Sequence, residues 1–413
     1  LKQYVIKVLN MSNVRELNSC LCCENTDIRT ILDLGNQPLA NTYHNGESLE
    51  VFPLKLNLCQ NCWHLQLSHA VDPDLMFKNY LYVSGTSNTL RDYFDKFVDI
   101  TLEYNRNAKN VLDIACNDGS QLDSYKKKNL KTYGIDPAEN LYTISKEKGH
   151  DIVVDYFTTD SVKKFQNTKF DIITAQNVFA HNTYPLEFLK TCKDILSDDG
   201  NLFIQTSQAN MVVNNEFDTI YHEHISFFNT FSMMKLVERA GLYLNDVIKT
   251  DIHGTSYVFV ISKSKNEKNN IQKDVESLLK NKLNTTITYI QYALNAYKIT
   301  YDLKEKLEEY KENGYSLIGY GAAAKGNTLL NFGKIKLDYI VDDNPLKCGL
   351  LTPGMDIEIK SPDFISTINK NTKVVFVPLA WNFYKEIKGK IKSYRDIESD
   401  IFVRYFPNFI IEK

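Results

Sequence analysis

Two pairs of cysteines constrain this chain more than any other feature. Cys20 and Cys23 form one C-x-x-C, and Cys59 and Cys62 form a second. Four thiolates supplied in this way close a tetrahedral site suited to zinc. The metal's binding free energy then stabilises a segment too irregular to rest on a conventional core. Gly35, Pro38, Gly46, Pro53 and Pro73 interrupt the surrounding stretch, which fits that description. Four protein ligands leave no position for water or substrate, so the expected metal is structural. A pair of redox disulfides is the competing reading. The first residues, Leu1 to Asn10, hold no sustained apolar run of a secretory leader, which favours metal in a reducing compartment. Cys22 lies outside the spacing, and Cys116, Cys192 and Cys348 read as small packing residues.

Beyond the cysteines the apolar pattern changes. NVLDIA, KTYGID, FDIITAQ and NLFIQT are short strand-like runs separated by amphipathic stretches, the alternation of a parallel α/β sheet. A Lys-, Glu- and Asn-rich stretch from Asn266 to Asn313 carries Val275, Leu278, Leu279 and Leu283 at helical spacing, and is expected to form helices between domains. SLIGYG, LDYIVDD and KVVFVP then restart the strand signal and predict a second α/β unit. The expected fold is therefore α/β, with an N-terminal zinc-binding domain over residues 11–85 and a central Rossmann-like domain over 86–262. A helical linker and C-terminal Rossmann-like domain occupy 263–413. With 43% hydrophobic and 24% charged residues in 413, the chain has a globular balance. A net charge of −3 gives no field for nucleic acid or an anionic membrane, and no apolar run is long enough to cross a bilayer. A cytoplasmic protein is expected. Because Met11 follows so closely, residues 1–10 carry no functional weight.

The segment VLDIACNDGSQL reads as a buried strand, a tight Asn117-Asp118-Gly119 turn and the start of a helix. Asp113 or Asp118 can there bind the cationic methionine portion of S-adenosylmethionine. Asp136, in GIDPAEN about twenty residues further on, can accept hydrogen bonds from ribose hydroxyls. A nicotinamide site would use the same ribose logic, but the first turn lacks the full G-x-G-x-x-G pyrophosphate fingerprint. Asp155 and Phe157 fit either an adenine border or a turn and a core aromatic.

AQNVFAHN places Asn177 and His181 at the carboxyl edge of a strand, where ligands of such sheets gather. FDTIYHEHISFF concentrates Tyr221, His222, Glu223 and His224 among apolar residues. An imidazole can remove a proton, a carboxylate can orient it, and a tyrosine hydroxyl can polarise a carbonyl. A second zinc site, a core histidine or a polar turn are the alternatives. Alternation along a strand would put His222 and His224 on one face and Glu223 on the other. His253 in DIHGTS is a further candidate at a strand end. GYGAAAKGNTLL offers Lys325 and Asn327 at a helix start suited to a diphosphate, or a packing turn.

Taken in order, Cys20/Cys23, Cys59/Cys62, GNQPLAN, YLYVSGTSNT, CNDGSQL, GIDPAEN, NVFAHN, FDTIYHEH, DIHGTS and GYGAAAKGNTLLN resemble the zinc-containing sugar C-methyltransferases that act on nucleotide-linked 4-ketosugars. The resemblance spans nearly the whole chain. It implies a zinc domain, a central S-adenosylmethionine domain and a C-terminal domain that helps enclose the nucleotide sugar. It also implies that Tyr221, Glu223 and His224 are the catalytic group, with His224 the base, and that His181 and Tyr80 or Tyr82 approach the sugar. Two departures stand out. Gln205 occupies a position where the family pattern has a carboxylate, and HGTSYVF replaces the usual HGGS-arginine pattern beside His253. The expected reaction is proton removal beside a ketone, followed by attack of the enolate carbon on the methylsulfonium. Sugar O-methylation is the nearest enzymatic alternative, and a non-catalytic nucleotide-sugar binding protein the alternative of another class.

Overall fold

Runs of β-branched and aromatic residues too apolar for one wet face form strands buried on both sides, and they dominate this structure. The computed structural model describes residues 13–77, 84–86, 88–252 and 254–413. Two units emerge, each assembled from separate stretches. The first takes the stretch ending at Arg29, Asn57–Ala209 and Ile225–Asn284. The second takes Thr30–Leu56, Asn210–His224 and Thr285–Lys413.

The first unit is built on a seven-stranded sheet of β1 Asn110–Ile114, β2 Lys131–Asp136, β3 Asp151–Val154, β4 Phe170–Gln176, β5 Leu196–Thr206, β6 Tyr243–Thr250 and β7 Ser256–Ser262. The spatial order is β3-β2-β1-β4-β5-β7-β6. β1 to β5 are parallel, and β7 runs antiparallel between β5 and β6. Side chains alternate faces along a strand, and here both faces are dry. Val111, Ile172, Phe203, Val258 and Val260 face one core, while Leu112, Ile173, Leu202, Ile204 and Phe259 face the other.

Helix α1 (Asn88–Tyr104) buries Phe94, Phe97, Val98 and Thr101, a three-four spacing that makes one apolar stripe. Its Phe97 and Val98 join the first core with Leu122 and Tyr125 of α2 (Ser120–Lys127). Helix α3 (Glu139–Glu147) buries Leu141, and the opposite core takes Phe188 and Leu189 of α4 (Pro185–Ile195) and Met233 and Leu236 of α5 (Thr230–Arg239). A capping box starts α5: the Asn229 side chain accepts from Ser232 N–H, and the Ser232 hydroxyl accepts from Asn229 N–H.

The second unit carries a six-stranded sheet of β8 Ser316–Tyr320, β9 Tyr339–Val341, β10 Ile359–Lys360, β11 Val374–Pro378, β12 Ile401–Arg404 and β13 Ile410–Glu412, in the order β10-β9-β8-β11-β12-β13. All neighbours are parallel except β12 and β13. The predicted linker resolves into α6 (Asn269–Lys280), which belongs to the first unit, and α7 (Thr286–Glu312), which belongs to the second. Helix α8 (Ala324–Gly333) follows β8, and α9 (Tyr384–Tyr394) buries Tyr384, Ile387 and Ile391 against the sheet. No helix among the described residues is long and apolar enough to cross a membrane.

Phe203 is fully buried, edge-on to both Phe97 and Tyr104. Truncating it leaves a cavity between β5 and α1. Phe203→Ala should destabilise the first unit by about 3–5 kcal/mol, read as a lowered midpoint of that unit's urea transition; an unchanged midpoint would refute the packing described.

Candidate active site and metal site

The zinc ligands are carried by two turns of the same design. In each, the backbone N–H after the second cysteine reaches back to the carbonyl of the first: Glu24 to Cys20 at 2.8 Å and Trp63 to Cys59 at 2.9 Å. Glu24 and Trp63 both adopt left-handed backbone, with φ of 61° and 59°. The four sulfurs of Cys20, Cys23, Cys59 and Cys62 lie within 4.8 Å of one another, with Cys20–Cys62 and Cys23–Cys59 each at 3.5 Å. Tetrahedral Zn–S bonds of about 2.3 Å require sulfurs about 3.8 Å apart, so the donor set fits the ion. The protein carries a structural zinc site here, closed by four sulfurs. Among the described residues no other His, Cys, Asp and Glu group is placed to hold a metal.

A cavity of about 510 Å³ opens at the carboxyl ends of β1, β2 and β4. Asp113, Asn117, Asp136, Asn177 and His181 line it, together with Asp155, Phe157 and Gln205. Asp118 and Gly119 do not. Asp118 instead holds the start of α2, accepting from Ser120 Oγ at 2.8 Å, and Gly119 adopts a φ of 76° that closes the turn behind the wall. Ala115, Asn117 and Asn177, at the ends of β1 and β4, also have positive φ (58°, 52° and 55°). Strained non-glycine backbone of this kind gathers where function holds it.

Each Asp136 oxygen accepts one backbone N–H, from Asn117 and from Ala138, both at 2.8 Å. That arrangement leaves lone pairs for a diol. Burial pushes the Asp136 carboxyl above its ordinary range, against the pull of those donors. Asp113 is pushed up to about 7 by burial, reinforced by the neighbouring Asp136 charge and opposed by the Thr174 hydroxyl at 2.6 Å. Three aspartates line the cavity and no lysine or arginine does so among the described residues. Carboxylates held this way call for a cation. The Asn177 side-chain oxygen is buried without a partner among the described residues and awaits a donor. A diol, an ammonium and a sulfonium meet these requirements in one molecule, S-adenosylmethionine.

At Gln205 the expected carboxylate is replaced by a buried amide, whose oxygen accepts from the Tyr93 hydroxyl at 2.5 Å. The His181 ring stacks on Phe77 with centroids 5.4 Å apart, and burial lowers its imidazole to about 4, so it is neutral near pH 7. Tyr80, Tyr82 and His253 lie outside the described residues.

In the second unit Tyr221 to His224 form a turn, closed by His224 N–H to Tyr221 carbonyl at 2.9 Å. No strand forms there, and the two histidines part company. His222 is a core residue, edge-on to Phe52 and hydrogen-bonded to the Phe52 carbonyl, with burial lowering it to about 4. His224 Nδ1 lies 2.8 Å from the Thr219 carbonyl and Nε2 lies 3.0 Å from the Tyr221 hydroxyl. A carbonyl only accepts, so Nδ1 bears the proton and the Nε2 lone pair faces the tyrosine O–H. Glu223 accepts from Asn41 Nδ2 at 2.5 Å.

Phe217, packed between Phe332 and Phe406, anchors this turn. Beside it the fully buried Asp218 accepts the Trp381 indole N–H at 2.7 Å. Lys325 lies over the Trp381 ring, 5.0 Å from its centroid. Asn327 is buried, and its amide donates to the Ala40 carbonyl at 2.8 Å. Thr219 and Asn41 escaped the sequence reading, since a backbone acceptor and a loop asparagine 182 positions from its partner give no local signal.

The sheet order, the antiparallel β7 and an acidic cavity shaped for a cationic nucleoside define an S-adenosylmethionine-dependent methyltransferase. Three family models match in series: a zinc binding domain at residues 20–77, a methyltransferase domain at 86–247 and a C-methyltransferase C-terminal domain at 251–407. Together with 28% identity over 399 residues to the C-methyltransferase NovU of Streptomyces niveus, covering 92% of this chain and 94% of that protein, they support a zinc-containing, S-adenosylmethionine-dependent C-methyltransferase. It is also 24% identical over 170 residues to a ubiquinone biosynthesis O-methyltransferase of Coxiella burnetii, covering 38% of this chain and 73% of that one. A crystal structure of an S-adenosylmethionine-dependent methyltransferase from Clostridium acetobutylicum aligns with 43% of this chain and 93% of its own, at 13% identity and a TM-score of 0.34.

Two outcomes are expected. Metal analysis of protein purified without chelator should give about one zinc per chain, and Cys59→Ser should lose it and lower the melting temperature; full zinc occupancy in that variant would contradict the ligand set. Asp136→Ala should weaken S-adenosylmethionine binding at least about tenfold by calorimetry, the loss of hydrogen bonds to a charged acceptor. Unaltered affinity would remove Asp136 from the ribose role.

Proposed function

We propose that the chain transfers the methyl group of S-adenosylmethionine to a carbon adjacent to the ketone of a nucleotide-linked 4-ketosugar. The observation that carries this reading is the pinned tautomer of His224. A carbon beside a ketone becomes nucleophilic only when a base removes its proton. The Thr219 carbonyl keeps the His224 Nδ1 proton in place, so that Nε2 is the basic atom, and the same contact steadies the imidazolium that forms. The Tyr221 hydroxyl, 3.0 Å from Nε2, is the donor that turns to the ketone oxygen as negative charge develops there. Glu223, on the same turn, accepts a hydrogen bond from Asn41. Bound S-adenosylmethionine supplies an electrophilic methyl on a positively charged sulfur, and Asp113 and Asp136 hold its cationic and ribose portions.

The role proposed for His181 is that of a neutral hydrogen-bond donor to the sugar, which its lowered basicity suits. Lys325, in the first turn of α8, is proposed as the cation for the diphosphate, with Asn327 contributing from the same turn. Tyr80, Tyr82 and His253 complete the proposed sugar contacts.

Incubation with methyl-labelled S-adenosylmethionine and a panel of nucleotide-linked 4-ketosugars tests this reading, the product being located by carbon NMR. A new carbon–carbon bond supports it, and methylation on oxygen replaces it with the O-methyltransferase alternative. His224→Ala should retain cofactor affinity and lose about 10²–10⁴-fold in turnover. Turnover within about twofold of the parent protein, against that range, would take the base role away from His224.

A further inference from the structure

Helix α7 is apolar on two sides. Tyr289, Tyr292, Ala293, Ala296, Thr300, Leu303 and Leu307 are buried in the second unit. Ile287, Ile290, Leu294, Tyr297 and Tyr301 are exposed, at 68%, 44%, 56%, 48% and 62% of their surfaces. Their spacing is three, four, three, four, the interval of a seam between two helices. Seventeen large apolar residues are exposed among those described, and five of them fall on this single stripe, so the clustering is not the scatter normal for a surface. From Thr286 to Tyr297 the helix carries no charged residue, and beyond it Lys298, Asp302, Lys304 and Glu305 close the patch with charge. An apolar stripe bounded by charges marks an association face.

We propose that this face of α7 pairs with the same face of a second copy of the chain, the two helices running antiparallel about a two-fold axis at Leu294. The stripe is a convex ridge, so its complement is another ridge of matching interval rather than an extended peptide. The protein itself provides one. Antiparallel pairing sets Ile287 against Tyr301 and Ile290 against Tyr297 of the other copy, an aliphatic residue meeting an aromatic one at each level, with Leu294 against itself. It also opposes the two helix dipoles. The seam is about 21 Å long at 1.5 Å per residue. Five side chains of these sizes expose on the order of 500 Å². Two copies therefore bury about 1,000 Å² along the stripe alone, the lower bound of a specific interface. Val213, also exposed, adds to the rim: Asn215, two residues on, is hydrogen-bonded to Asn295 of α7.

Sedimentation velocity on the full-length chain tests the proposal. The parent protein is expected to sediment as a dimer at about 50 μM, a concentration above the micromolar constants that interfaces of this area support. Leu294→Glu and Leu294→Lys should each raise the dimer dissociation constant at least about tenfold, because like charges meet on the axis, and an equimolar mixture of the two should recover the dimer. Circular dichroism melts confirm that each variant is folded, and Tyr301→Glu serves as the substitute should either fail that check. A parent protein monomeric at that concentration overturns the proposal. So does a dimer that persists in the folded charged variants, or a mixture that stays monomeric.

Discussion

A parallel sheet covered on both faces leaves one kind of place for chemistry, the edge where its strands end. In the first unit the alternation of Val111 with Leu112 and of Ile172 with Ile173 seals both faces, so no polar group can work there without a partner. Asp113, Asn117, Asp136 and Asn177 all sit where β1, β2 and β4 give out. The left-handed residues at those ends turn the chain sharply enough to open a cavity. Burial that stabilises the sheet is therefore what raises the Asp113 and Asp136 carboxyls, in the cavity proposed to hold S-adenosylmethionine. Stability and recognition come from the same packing.

The second unit solves a different problem, the orientation of one imidazole. Phe217 is locked between two aromatic rings and Asp218 is bonded to Trp381. The short helical turn they fix presents the Thr219 carbonyl to His224. A buried carboxylate is a costly anchor, and burial raises Asp218 to about 6 even with Lys325 and Trp381 opposing it. That expense secures an acceptor made of backbone, which no side-chain substitution at position 219 removes.

Much of this was legible in the residues. NVLDIA, KTYGID and FDIITAQ became β1, β2 and β4 because a run buried on both faces has little alternative. The two C-x-x-C pairs converged because their spacing encodes a turn. Asp136 lay where a strand-end carboxylate belongs. The failures have physical causes too. The alternating pattern around Tyr221 to His224 mimics a strand, but the bond from His224 to the Tyr221 carbonyl closes a turn instead. Asp118, next to the glycine of the turn, reads as a cofactor ligand in the sequence, whereas in the structure it lies outside the cavity wall and accepts from Ser120. Nothing local to Asn41 announces Glu223, and nothing near Thr219 announces that its carbonyl, rather than its hydroxyl, fixes the imidazole.

Each unit is stitched from stretches interrupted by the other's sequence, with the second unit needing Thr30–Leu56, Asn210–His224 and everything from Thr285 onward. During synthesis this imposes an order. The first unit can close once Asn284 has left the ribosome, but the stretch Thr30–Leu56 cannot complete its unit until α7 and the sheet that follows have been made. At about 5–20 residues per second, the interval from Leu56 to Thr285 lasts roughly 10 to 50 s. For that interval Thr30–Leu56 exists with the larger part of its unit still unmade, the kind of incomplete intermediate in which exposed apolar surface and unpaired edges invite misassembly.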